Sequence, residues 1–127
     1  FYSGYSEELA HMIEAAADIF LMPSLYEPCG LNQMYSLKYG TVPIVRRTGG
    51  LADSVQQFDP ATGQGTGIVF NDFDAAAVRW ALATALDWQS WPSVWRRLVL
   101  NGMRQDFSWD TQGAAYEQLY ASLARSE

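Results

Sequence analysis

Ile19-Phe20-Leu21-Met22-Pro23 and Val42-Pro43-Ile44-Val45, with residues 31–39 between them, decide the fold of this chain. The first run is short, apolar and closed by a proline, the pattern of a strand buried on both faces of a parallel sheet. After a polar loop ending at Gly30, the residues Leu31, Met34, Tyr35 and Leu37 suit a helix, and Gly40 stands where a left-handed C-cap residue belongs. The second strand carries Pro43 near its start, where a missing donor costs least. Strand, helix and strand in that order call for a right-handed crossover and parallel pairing.

Working outward, Ser6 before Glu7 and Glu8 supplies an N-cap with negative charge in the first turn. Leu9, Met12, Ile13 and Ala16 then share one face, so a helix is expected over 6–17. Downstream, residues 46–50 form a loop, 51–57 a weak helix, and 59–65 a turn-rich excursion. Ile68-Val69-Phe70 gives a third strand, and helices are expected over 74–86, 93–103 and 110–124. The expected class is α/β, a doubly wound parallel sheet flanked by helices. Three strands make a thin sheet, so further strands of the same domain are expected before Phe1.

With 127 residues there is material for one hydrophobic core and not two. Eight basic against fourteen acidic residues give a net charge of -6 with no basic cluster, which argues against a nucleic-acid partner. No apolar run approaches the roughly 20 residues needed to cross a bilayer, and the first residues do not read as a signal peptide. A cytoplasmic setting is expected, or a plastid if the source is a plant. Cys29 is the single cysteine and has no partner for an internal disulfide.

In a doubly wound sheet, ligands bind beyond the carboxyl ends of the strands, which directs attention to the loops after Met22 and Val45. Gly30 lets the amides of Gly30, Leu31 and Asn32 approach a ligand at a helix start, where the dipole favours phosphate. A purely structural glycine is an equal reading at this point. Glu27 would repel an anion and is better suited to accepting hydrogen bonds from sugar hydroxyls beside it.

The run Pro23-Ser24-Leu25-Tyr26-Glu27-Pro28-Cys29-Gly30-Leu31-Asn32-Gln33, followed by Tyr39-Gly40-Thr41-Val42-Pro43-Ile44-Val45-Arg46-Arg47-Thr48-Gly49-Gly50-Leu51-Ala52-Asp53, resembles the C-terminal domain of bacterial glycogen synthases and plant starch synthases. The likeness resumes at Gly65-Thr66-Gly67 and Phe107-Ser108-Trp109. It implies a retaining glucosyltransferase of the GT-B type, in which two Rossmann-like domains hold ADP-glucose between them. The donor glucose passes to the non-reducing end of an α-1,4-glucan, and no metal or other cofactor is implied. The whole chain, 1–127, would be the later part of the second domain, with the N-terminal domain as its missing partner. Glu27 would contact the donor glucose in the catalytic position. The amides of Gly30, Leu31 and Asn32 would hold the distal phosphate, Tyr5 would stack on adenine, and Thr48, Gly49 and Gly50 would border the cleft. Two positions depart from the pattern: Tyr35 stands where wider retaining GT-B enzymes place a second glutamate, and Asn32 replaces a common threonine.

For Cys29 a pocket-lining role is expected over a nucleophilic one, since no histidine neighbours it in sequence. His11 is placed on the polar side of the first helix with no assigned role. Trp80, Trp88, Trp91 and Trp95 are expected to pack in the core or between domains before they stack on glucan. Arg46 or Arg47 could serve phosphate, or could pair with Asp53. The competing class of function is a non-catalytic nucleotide- or glucan-binding module. Unpaired sheet edge and apolar surface further predict self-association of the fragment.

Overall fold

In the computed structural model, which describes residues 3–124, the elements are α1 (Glu7–Ala16), β1 (Ile19–Met22), α2 (Asn32–Tyr39), β2 (Val42–Arg46), α3 (Gly49–Ser54), β3 (Ile68–Phe70), α4 (Ala75–Gln89), α5 (Pro92–Met103) and α6 (Trp109–Ala124). The three strands are parallel in the order β1-β2-β3, with Ile19 opposite Val42 and Ile44 opposite Ile68. Alternate residues of the pleat feed opposite faces. Ile44, Ile68 and Phe70 bury against Ala81 and Ala85 of α4, while Val45 and Val69 bury against Leu51 of α3 and Val55 just after it. A third cluster joins Val42 to Phe58 and to Leu98 of α5. Helices therefore cover both faces of a Rossmann-like parallel sheet, as the strand-helix alternation predicts. The strands expected before Phe1 lie outside the described residues.

Helix boundaries follow their caps. Ser6 accepts from Leu9 N at 3.2 Å and Asp74 accepts from Ala77 N at 2.7 Å, starting α1 and α4 where the sequence predicts. Gly40 closes α2 at φ 85°, as expected of a left-handed cap. Asp106 accepts from Ser108 N and from the Thr111 hydroxyl at the start of α6, and these bonds hold its carboxyl down to about 2.

Four expectations are corrected. β1 has no fully buried residue and Leu21 is exposed, because β1 is an edge strand among the described residues. On α1 the Met12–Ile13 face points outward and Glu14 is the buried residue. The cause is Thr41, between α2 and β2, whose hydroxyl donates to the carbonyls of Glu14 and Ala17 and turns that side of the helix inward. His11 is correspondingly not idle: its ring packs on Tyr35 at 5.0 Å and meets the Tyr39 hydroxyl at 3.2 Å. Finally, α3 starts at Gly49 and ends at Ser54, earlier at both ends than the expected 51–57, since its two glycines enter the helix.

Candidate functional site

Two loops at the carboxyl end of the sheet meet backbone to backbone. Gly50 N donates to Glu27 O at 3.0 Å, tying the start of α3 to the loop after β1. A Cβ on Gly49 would collide with Glu27 O and come within 2.9 Å of Glu27 C, and one on Gly50 would lie 2.7 Å from Cys29 Cα. Gly49 also has φ 44°, in the left-handed region. Only residues without side chains permit this approach. The structure thus brings the main chain of Glu27, Pro28 and Cys29 against Gly49 and Gly50.

The helix start is left open. Leu31 is the N-cap of α2 and offers no capping side chain, unlike Ser6 of α1 or Asp74 of α4. Among the described residues no acceptor takes the amides of Gly30, Leu31 or Asn32, so three donors at the positive end of the helix are uncommitted. Leu31 and Asn32 are exposed, while Glu27 and Gly30 are half-buried. Glu27, half-buried, precedes this open helix start by three residues in the same loop.

Gln33 is the residue that sequence reasoning quoted but gave no role. It is fully buried, and its Nε2 lies 3.1 Å from Cys29 O, 3.0 Å from Gly30 O and 3.0 Å from Ser54 Oγ. Ser54 Oγ in turn donates to Gly50 O at 2.6 Å. A polar residue on the inner face of an otherwise amphipathic helix is the signal that could have identified it.

The remaining candidates divide. Cys29 is exposed, and its Sγ lies 3.5 Å from Gly30 O. Tyr5 is 89% exposed, so it does not pack on α1, and no hydrogen bond or ring contact joins it to the two loops. Arg46 donates to Leu25 O at 2.8 Å and Asn71 O at 3.1 Å and lies over Phe73. Arg47 donates to Asn71 Oδ1 at 3.0 Å. Both arginines therefore lace the ends of the strands together, and neither pairs with Asp53 among the described residues. Trp88 and Trp95 join the core as expected, whereas Trp80 and Trp91 are exposed. Two grooves, of about 570 and 810 Å³, are lined neither by Glu27 nor by residues 48–50.

Comparison with known proteins identifies the family. Residues 1–97 match the family "Glycosyl transferases group 1". The chain is 57% identical over 123 residues to a glycogen synthase of Thioalkalivibrio sulfidiphilus, covering 94% of this chain and 26% of the relative. It is 54% identical over 121 residues to a glycogen synthase of an Anaeromyxobacter species, covering 95% of this chain and 25% of the relative. The chain thus spans about a quarter of the length of these relatives. Among solved structures, the catalytic domain of Arabidopsis thaliana starch synthase IV bound to ADP and acarbose aligns with TM-score 0.82 at 41% identity, over 94% of this chain and 25% of that one. Sucrose-phosphate synthase of Thermosynechococcus elongatus aligns with TM-score 0.69 at 28% identity, over 100% of this chain and 30% of that one. Matched over most of its length by the family and by glycogen synthases, this chain belongs to the group 1 glycosyl transferases, in their glycogen and starch synthase branch.

Proposed function

We propose that the full-length protein transfers glucose from ADP-glucose to the non-reducing end of an α-1,4-glucan with retained configuration, and that this chain supplies the donor-binding half. The observation that carries the reading is the apposition of the Glu27-Pro28-Cys29 main chain to Gly49-Gly50, next to a helix start at which the amides of Gly30, Leu31 and Asn32 are open. In this reading the amides take the distal phosphate and stabilise it as it departs, an electrostatic contribution to the leaving group. Glu27 orients the glucose through its hydroxyls. Cys29 and Thr48 line the pocket, and Tyr5, exposed and unpacked, is free to take the adenine face.

An N-terminal domain of the same enzyme closes the cleft from the other side and brings the acceptor. Supporting this, α6 has no buried residue and exposes Leu119, Tyr120 and Leu123. No helix among the described residues is long and apolar enough to cross a membrane, in keeping with a cytoplasmic setting, or a plastid one in a plant.

Glu27→Ala in the full-length enzyme is expected to slow glucan extension by on the order of 100-fold or more, with the fold intact. Near-normal turnover would remove Glu27 from the assignment. A full-length wild-type protein that binds ADP-glucose in calorimetry but never extends glucan would favour the binding-module reading instead.

A further inference from the structure

Gln33 is buried away from the cleft, yet its contacts all lead to it. Both carbonyls that its amide holds belong to the loop after β1, and its third contact, Ser54, carries the connection to Gly50. The amide orientation follows from these contacts, since a reversed side chain would set an oxygen against two carbonyl oxygens. Gln33 Oε1 is left without a partner in the interior. A buried unpaired acceptor is unfavourable and calls for an explanation. Here the paired end of the same side chain supplies one.

In a trans peptide the carbonyl and the following N–H point in opposite directions, and no peptide bond among the described residues is cis. Drawing Cys29 O inward aims Gly30 N–H outward, and drawing Gly30 O inward aims Leu31 N–H outward. These are two of the three open donors at the start of α2. The geometry points to Gln33 as the positioning residue that sets the direction of the phosphate-binding amides, with Ser54 coupling that setting to the Gly49-Gly50 wall. The inference rests on the donor-site reading above and adds that the anion pocket is aimed from inside the fold. Gly30 is part of the same device, for a Cβ there would come within 2.5 Å of Gln33 Oε1, and its φ of 73° suits a residue without a side chain.

The test compares ADP with AMP, which lacks the distal phosphate, by calorimetry on the full-length enzyme. Wild type is expected to bind ADP more tightly than AMP. Gln33→Met, similar in length and without the amide, is expected to weaken ADP by about tenfold or more while leaving AMP within about twofold. Ser54→Ala should move the same ratio in the same direction by less, and it decides the matter if Gln33→Met does not fold. An unchanged ADP/AMP ratio in the folded variants overturns the role of Gln33, as does an equal loss for both nucleotides, which is what general loosening of the loop would produce. A wild-type enzyme that fails to prefer ADP overturns the donor-site reading itself, so the two failures are distinguishable.

Discussion

Glu14 is the residue least suited to its surroundings. It is 3% exposed, its Oε2 has no partner, and burial pushes its carboxyl above the ordinary value of 4.5, with only His11 one turn back to oppose the shift. Below 4.5 the group is protonated whether folded or not; as pH rises past that value the unfolded chain ionises first, so stability falls until the folded form has also lost its proton. Glu14→Met is therefore expected to raise stability at pH 7 by about 1 kcal/mol or more, and by less at pH 4, measured by thermal unfolding at both pH values. A gain independent of pH would show that packing, and not the charge, is the cause. Glu14 also marks a limit of reading residues singly. The apolar stripe Leu9, Met12, Ile13 and Ala16 predicted the inner face of α1, but Thr41, far along the chain, fixes the actual rotation. Gly30, by contrast, was legible as a backbone position, because a glycine just before a helix marks a sharp entry, and it sits at φ 73°.

At the scale of elements, the three strands and most of the helix starts were readable because each carries its own local signal. Four apolar residues before a proline, or a side-chain cap before an amphipathic run, need no distant partner to act. α4 shows this plainly: Asp74→Ala is expected to lower stability by about 1 kcal/mol in denaturant unfolding, with glucan extension in the full-length enzyme unchanged. α3 was less legible because its start is set by contact with Glu27 and Cys29 and not by propensity. The same contact made Gln33 hard to assign in advance. Nothing in residues 31–39 alone reveals that the side chain reaches both Gly30 and Ser54. α4 is capped by a side chain, whereas α2, α3 and α5 start without one, so among the first five helices only α1 and α4 announce their beginnings through a capping residue.

For the molecule as a whole, the described residues leave much apolar surface in solvent. Leu21 on the edge strand is 38% exposed, and along α6 Trp109 is 79% and Tyr120 66% exposed. Surface of this kind favours association. The 127-residue chain taken alone is expected to self-associate, with a sedimentation coefficient that rises with concentration over the micromolar range. A single monomeric species across that range would count against it. The Gly49-Gly50 contact has a further consequence for anyone seeking to alter donor choice. Where main chain rests on main chain there is nothing to trim or extend by degrees, and a change there breaks the wall before it reshapes it. On the proposed donor-site reading, the positions left to vary are Cys29, Asn32 and Thr48, and a search for a different nucleotide sugar would begin there.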